Sequence, residues 1–142
     1  MKRTFATAAW FAAALSAAIL QPSMIGNASA NDAETVKQIF AKQLPNVPGN
    51  SLTSFVVEYA PGGKSESHHH TGSVFAYVLT GEIRSQISDG APAKVYKAGE
   101  FFFEPPGSSH LVSENASATE PASLLAVFVA ADEATLTAPG AK

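Results

Sequence analysis

A regular alternation of short apolar runs and turn residues limits this chain to a few folds. From Leu52 onward the hydrophobic period is two, and turn signals recur about every eight to twelve residues. Gly and Pro residues, as in Pro61-Gly62-Gly63 and Pro105-Pro106-Gly107, separate the runs. The pattern predicts strands at residues 52–60, 65–70, 74–80, 82–88, 93–97, 100–104, 109–114 and 122–131. It therefore indicates an all-β domain over residues 49–132, a small antiparallel barrel or jelly roll.

The two flanks of this domain carry other patterns. In residues 31–48, Val36, Ile39 and Phe40 recur at helical spacing, and Asn31 with Glu34 forms a capping-box pattern. We expect one short N-terminal helix there, followed by a linker. Residues 133–142 are small and polar, which predicts a flexible tail.

Residues 1–30 have the composition of a secretory signal peptide. Lys2 and Arg3 precede a long apolar run, and Ala28-Ser29-Ala30 fits the small-residue cleavage rule. A retained membrane anchor is the alternative, but the run is shorter than the roughly 20 residues that a spanning helix needs. We expect cleavage after Ala30, a periplasmic or secreted protein, and no stable membrane association after cleavage.

Charge and cysteine content exclude several classes of function. Without Lys2 and Arg3 the chain has seven basic and twelve acidic residues, a formal net charge of −5. The basic residues are scattered, so nucleic acid is not an expected partner. The chain has no cysteine, which excludes disulfides, thiolate metal sites and a cysteine nucleophile. Its chemistry must therefore use nitrogen and oxygen atoms.

All four histidines of the chain fall in two places, His68-His69-His70 and His110, both on predicted strands after turns. Because side chains alternate along a strand, His68 and His70 share one face and His69 points to the other. Two such imidazoles and His110 from a neighbouring strand could hold a divalent metal with open coordination positions. The alternative is a solvated histidine loop that binds metal weakly.

Two sequence motifs around these histidines resemble those of the cupin family. In GGKSESHHHTGSVFAYVLTG, the residues Gly62, His68, His70 and Gly81 fit the first cupin motif. In GEFFFEPPGSSHLVSEN, the residues Gly99, Pro105, Gly107 and His110 fit the second, with Asn115 one residue late. The resemblance implies a six-to-eight-stranded barrel and a divalent metal, Fe, Mn, Zn, Cu or Ni, on the motif histidines.

The chain departs from the cupin pattern at one ligand. Val74 or Phe75 stands where the family usually has a metal-binding Glu, so the chain is similar to the three-histidine cupins. Three neutral imidazoles leave a dication with about two positive charges, which favours an anionic chelating ligand. Three-histidine cupins include dioxygenases, but replacement of this Glu also occurs in cupins without demonstrated activity.

Glu104 is the candidate to replace the missing carboxylate. It lies six residues before His110, where it could bind a histidine N–H, ligate the metal or act as a catalytic base. The alternative is an ordinary strand-end carboxylate that faces water. Glu66 is a weaker candidate for a ligand, near the mouth of the barrel.

Alternation also predicts the walls of the site. If no bulge follows His70, three residues line the site: Val74, Ala76 and Val78. Three others then point outward: Phe75, Tyr77 and Leu79. Three polar or amphipathic residues could orient a substrate or cover an interface: Tyr77, Arg84 and Gln86. Outward aromatic side chains on so small a barrel predict a homodimer.

Three functions fit these observations. The leading hypothesis is an exported metal-dependent enzyme, dioxygenase-like or isomerase-like, that acts on a small anionic or phenolic compound. The second is a cupin that binds a metal or small ligand without turnover, and the third is a structural cupin with an empty barrel.

Overall fold

The structure is a computed structural model that describes residues 33–140. The regular elements in this range are ten β-strands. They are β1 (Glu34–Gln43), β2 (Asn50–Tyr59), β3 (His68–His70), β4 (Ser73–Thr80), β5 (Glu82–Ile87), β6 (Lys94–Lys97), β7 (Phe101–Glu104), β8 (Ser109–Asn115), β9 (Ala122–Ala131) and β10 (Thr137–Pro139). Each of the eight predicted strands overlaps one of β2 to β9, which confirms the all-β prediction.

The strands form two five-stranded antiparallel sheets. Sheet A has the order β1-β2-β9-β4-β7, and sheet B has the order β10-β3-β8-β5-β6. The core lies between them, where Val74 and Leu124 from sheet A pack with Ile83 from sheet B. This two-sheet arrangement is the jelly-roll type of barrel that the turn spacing predicts.

The predicted N-terminal helix is wrong. Residues Glu34–Gln43 form β1, which pairs with β2 along its whole length. The register shifts between Gln38 and Phe40, so Ile39 is an extra residue at a bulge. A bulge interrupts the two-residue period, and this places the apolar residues at a spacing that resembles a helix.

The predicted flexible tail contains a strand. Thr137–Pro139 is β10, which pairs antiparallel with β3, with Thr137 opposite His70 and Pro139 opposite His68. Three residues that include a proline carry no strand signal of their own. The pairing depends on a partner almost seventy residues earlier, which a local pattern does not reveal.

The alternation predicted for β4 is confirmed. Val74, Ala76 and Val78 are at most 1% exposed, whereas the residues between them lie on the outer surface of sheet A. No bulge therefore intervenes between His70 and the start of β4. Strands β4 of sheet A and β3 of sheet B thus both direct side chains into the interior. Of the three predicted wall residues, Val74 and Ala76 line the internal cavity, whereas Val78 lies in the core outside it.

The predicted signal peptide and its cleavage site lie outside the described residues. Within residues 33–140, no helix is long and apolar enough to cross a membrane.

Candidate metal centre

Strands β3 and β8 bring three histidines together in the interior. His68 and His110 are direct cross-strand partners, and His70 lies two residues along on the same face. One ring nitrogen from each of the three lies within 4.8 Å of the others. His69 lies outside this cluster, and its Nδ1 is 3.1 Å from the carbonyl oxygen of Pro139.

Backbone carbonyls orient two of the imidazoles. Nδ1 of His68 lies 2.7 Å from the carbonyl oxygen of Glu66. Nδ1 of His70 lies 3.1 Å from the carbonyl oxygen of Leu136 and 3.1 Å from Oγ1 of Thr137. Because a carbonyl oxygen only accepts, Nδ1 carries the hydrogen in both rings and Nε2 keeps its lone pair. Contacts of this kind fix the tautomer and the ring orientation of metal-binding histidines.

The third imidazole is held by a hydroxyl group. Nε2 of His110 lies 2.8 Å from Oγ of Ser85, which stands on the neighbouring strand β5. Burial lowers the pKa of His110 to about 3 and the pKa of His70 to about 4. Both rings are therefore neutral at neutral pH, and a neutral imidazole is the form that ligates a metal.

Glu104 lies beside these histidines. Its β7 position pairs with Val74 of β4, and its side chain is buried. Oε2 is 3.3 Å from Nδ1 of His110 and 3.7 Å from Nε2 of His70. Burial raises the pKa of Glu104 to about 7. The structure thus places Glu104 beside the histidines rather than at the water-facing end of a strand.

The donor set fits a divalent metal. Oε2 of Glu104 is a buried oxygen without a hydrogen-bond partner among the described residues. Buried polar atoms are otherwise nearly always paired, so the position of this oxygen fits a bound cation or a proton. Three imidazole nitrogens and one carboxylate oxygen suit Zn, Cu, Fe, Mn or Ni.

A cavity of about 540 Å³ adjoins the cluster. His68, His70, His110 and Glu104 are among the polar residues that line it. Its wall is mostly apolar and includes Phe55, Val57, Leu124, Ala126 and Phe128. Glu66 is exposed at the edge of the cavity, where its backbone rather than its carboxylate contacts His68. A small molecule can therefore reach the histidines along an apolar wall.

The three proposed substrate-orienting residues do not line this cavity. Tyr77 lies on the outer face of sheet A. Arg84 forms an ion pair with Glu114, and Gln86 donates to the carbonyl oxygen of Ala91. These side chains have surface partners instead.

Sequence reasoning missed three contacts of the centre. Ser85 could have been found from alternation, because it shares the inward face of β5 with the buried Ile83. The contact of Leu136 and Thr137 with His70 had no such signal, since it depends on the long-range pairing of β10 with β3.

The sequence of residues 55–128 matches the family described as Cupin domain. Among solved structures, the DMSP lyase DddQ from Ruegeria pomeroyi DSS-3 has a TM-score of 0.62 at 20% identity, covering 79% of this chain and 54% of that chain. A conserved protein with a double-stranded beta-helix domain from Klebsiella pneumoniae subsp. pneumoniae MGH 78578 has a TM-score of 0.62 at 21% identity. This match covers 80% of this chain and 89% of that chain.

An oxalate oxidase in complex with the substrate analogue glycolate has a TM-score of 0.56 at 25% identity, covering 72% of this chain and 54% of that chain. The chain thus spans about half the length of the DMSP lyase and oxalate oxidase chains that it matches. No curated protein matches the sequence significantly.

Proposed function

Because the chain belongs to the cupin domain family, we propose that it binds a divalent metal through His68, His70 and His110 and acts on a small anionic or phenolic compound. The observation that carries this proposal is the convergence of three ring nitrogens beside the unpaired carboxylate oxygen of Glu104. Its N-terminal sequence supports export to the periplasm or the medium.

The chemistry of the cavity favours an anionic ligand. When bound, a divalent metal would act as a Lewis acid on such a ligand and, if redox-active, could support oxygen chemistry. His68, His70 and His110 would hold the metal as neutral groups. Its positive charge would therefore be balanced by Glu104 and by the bound small molecule. The likeness to an oxalate oxidase that binds glycolate supports a small carboxylate as one such ligand.

Glu104 is the residue that favours an enzyme over a passive binding protein. Its carboxyl group is buried beside the histidines that would hold the metal, within reach of a proton on a bound ligand. Its Oε2 faces the histidines, close to where a chelating ligand would sit. We assign it the role of proton acceptor for the substrate.

The test begins with elemental analysis of the protein purified from its native compartment. About one equivalent of a transition metal is expected in the parent protein and in His69→Ala, whose side chain lies outside the cluster. His70→Ala should lose the metal, because two imidazoles bind more weakly than three. Absence of metal from the parent protein, even after incubation with Fe²⁺, Mn²⁺, Zn²⁺, Cu²⁺ and Ni²⁺, would overturn the proposal.

Turnover is tested on the metal-loaded protein. Oxygen uptake and product formation are measured with small carboxylates, diketones and catechols. Turnover that is absent from both His70→Ala and the metal-free protein supports an enzyme. Ligand binding without turnover for any compound would support the non-catalytic binding protein instead.

A further inference from the structure

A second polar group lies in the cavity, apart from the histidines. Four side chains form a continuous chain of hydrogen bonds there: Ser113, Tyr59, Ser65 and Glu34. Oη of Tyr59 lies 2.8 Å from Oγ of Ser113 and 2.7 Å from Oγ of Ser65. Oγ of Ser65 lies 2.6 Å from Oε1 of Glu34. All four residues line the cavity.

The direction of this chain follows from the number of hydrogens. Ser65 has one hydroxyl hydrogen and donates it to Glu34, so Tyr59 must donate its own hydrogen to Ser65. Ser113 must then donate its hydrogen to Tyr59. Burial raises the pKa of Tyr59 to about 12, which keeps this phenol a donor at neutral pH.

Every hydroxyl hydrogen in this chain of hydrogen bonds is thus already donated within it, and only lone pairs remain to contact a ligand. The free end is Oγ of Ser113, which can accept a hydrogen bond from a ligand but has no hydrogen left to donate. The carboxylate of Glu34 sets this polarity from the opposite end.

The acceptor Ser113 and the histidine His110 both face the cavity from β8. Leu111 is an extra residue in the register between β8 and β5, and this bulge leaves both His110 and Ser113 buried and facing the cavity. The two residues are three positions apart along β8, which is a separation of roughly 7–10 Å. The wall beside them, with Val57 and Phe128, is apolar.

We propose that the Ser113–Tyr59–Ser65–Glu34 chain is a specificity site that accepts a hydrogen bond from the far end of the ligand. This inference rests on the proposed function, which places the anionic end of the ligand at the histidines. The ligand class is a short organic acid or phenol whose far end carries a hydroxyl or N–H group. A far carbonyl or carboxylate is rejected, because it would face the lone pairs of Ser113.

The test compares ligand series on protein loaded with Co²⁺, whose visible spectrum reports binding. The probes are ω-hydroxy acids from glycolate to 6-hydroxyhexanoate, the unsubstituted acids of equal length and the matching dicarboxylates. The parent protein should bind one or two of the hydroxy acids about tenfold more tightly than their unsubstituted and dicarboxylate partners. The preference should peak at one chain length, since the two ends of the site are fixed.

Variants test the direction of the chain. Ser113→Ala removes the acceptor, so it should bring both affinity ratios close to one. Tyr59→Phe leaves the hydrogen of Ser113 free to be donated, so it should remove the preference over the dicarboxylate while the preference over the unsubstituted acid stays. Glu34→Leu removes the carboxylate that accepts from Ser65, so the direction of the hydrogen bonds is no longer fixed and the preference over the dicarboxylate should fall. Ser123→Ala is the matched control, because its hydroxyl bonds to Thr80 outside the cavity, and it should keep the parent ratio.

Three results would overturn the inference. They are a ratio of one at every length in the parent protein, parent-like ratios in Ser113→Ala, and a parent-like preference over the dicarboxylate in Glu34→Leu. Binding of acids without a hydroxyl preference would overturn this inference alone. Failure of the protein to bind any divalent metal, or of the metal-loaded protein to bind any acid or phenol, would overturn it together with the proposed function.

Discussion

At the level of single residues, Glu104 is the side chain whose environment calls for a cation. Its Oε2 is buried among two imidazoles without a hydrogen-bond donor among the described residues. Glu104→Gln keeps the size of the side chain but removes its negative charge. We therefore expect metal affinity to fall about 10–100-fold, the usual effect of losing a carboxylate near a metal.

The affinity is measured by titration against a competing chelator. Glu66→Gln is the matched control, because this exposed carboxylate lies at the edge of the same cavity. An unchanged metal affinity in Glu104→Gln would show that the carboxylate does not act on the metal.

Glu104 should also leave a signature in the metal-free protein. Burial raises the pKa of its carboxyl group from an ordinary value of 4.5 to about 7 in the folded state. Between these two pH values the folded state holds more protons on this group than the unfolded state, so this group lowers the free energy of unfolding as pH rises. In Glu104→Gln this side chain does not ionise, so it makes no pH-dependent contribution to the free energy of unfolding.

The free energy of unfolding is measured for both proteins in chelator, at several pH values from 4.5 to 7.5. The parent protein should lose roughly 3 kcal/mol relative to Glu104→Gln across this range. His70 and His110 have lowered pKa values, so they act in the opposite direction, but they do so in both proteins. A constant difference between the two proteins would contradict the raised pKa.

At the level of elements, what could be predicted depended on the range of the interactions. Strands β2 to β9 carry a local two-residue pattern between turns, and their approximate positions followed from it. The helix prediction for the residues of β1 was wrong because a bulge changes the hydrophobic period of this strand. β10 was not predicted because only its pairing with β3 defines it. For the same reason, motif spacing indicated the histidines, while the contacts of His70 with Leu136 and Thr137 could not be foreseen.

The short strand β10 should matter for metal binding. It places the Leu136 carbonyl and the Thr137 hydroxyl against Nδ1 of His70. A chain that ends at Asp132 would lose both contacts and the partner strand of β3. We expect metal affinity to fall about 10–100-fold, because the orientation of His70 is no longer fixed.

This prediction is checked by chelator competition, with circular dichroism to confirm that the sheets remain. The matched control ends at Gly140 and keeps β10 intact. Thr137→Ala gives an intermediate case, since it removes one of the two contacts. Equal affinity in the chain that ends at Asp132 and in the control would rule out a role for β10.

At the level of the whole molecule, the N-terminal sequence predicts a processed protein. Ala28-Ser29-Ala30 is the expected cleavage site, so the mature chain should begin at Asn31. The check is the intact mass of protein recovered from the periplasm or the medium. Ala28→Arg should block cleavage, because signal peptidase requires a small residue there. Recovered protein that retains residues 1–30 would contradict the prediction.

The outer face of sheet A predicts how two copies meet. Phe75 pairs with Phe103 and Tyr77 pairs with Phe101 across β4 and β7, so four aromatic rings form one outward patch. Phe101 is 61% exposed and Phe103 is 54% exposed. Monomeric proteins seldom leave such a continuous apolar surface in water, and a second copy with the same patch could cover it around a twofold axis.

Phe101→Glu should therefore convert a dimer into a monomer, because the charge would be buried in the interface without a partner. Light scattering at micromolar concentration measures the mass of both proteins. Leu111→Glu is the matched control, since Leu111 is an exposed apolar residue of β8 in sheet B and should leave the dimer intact. A monomeric parent protein would remove the basis of the prediction. A dimer lost in Leu111→Glu but kept in Phe101→Glu would place the interface on sheet B instead.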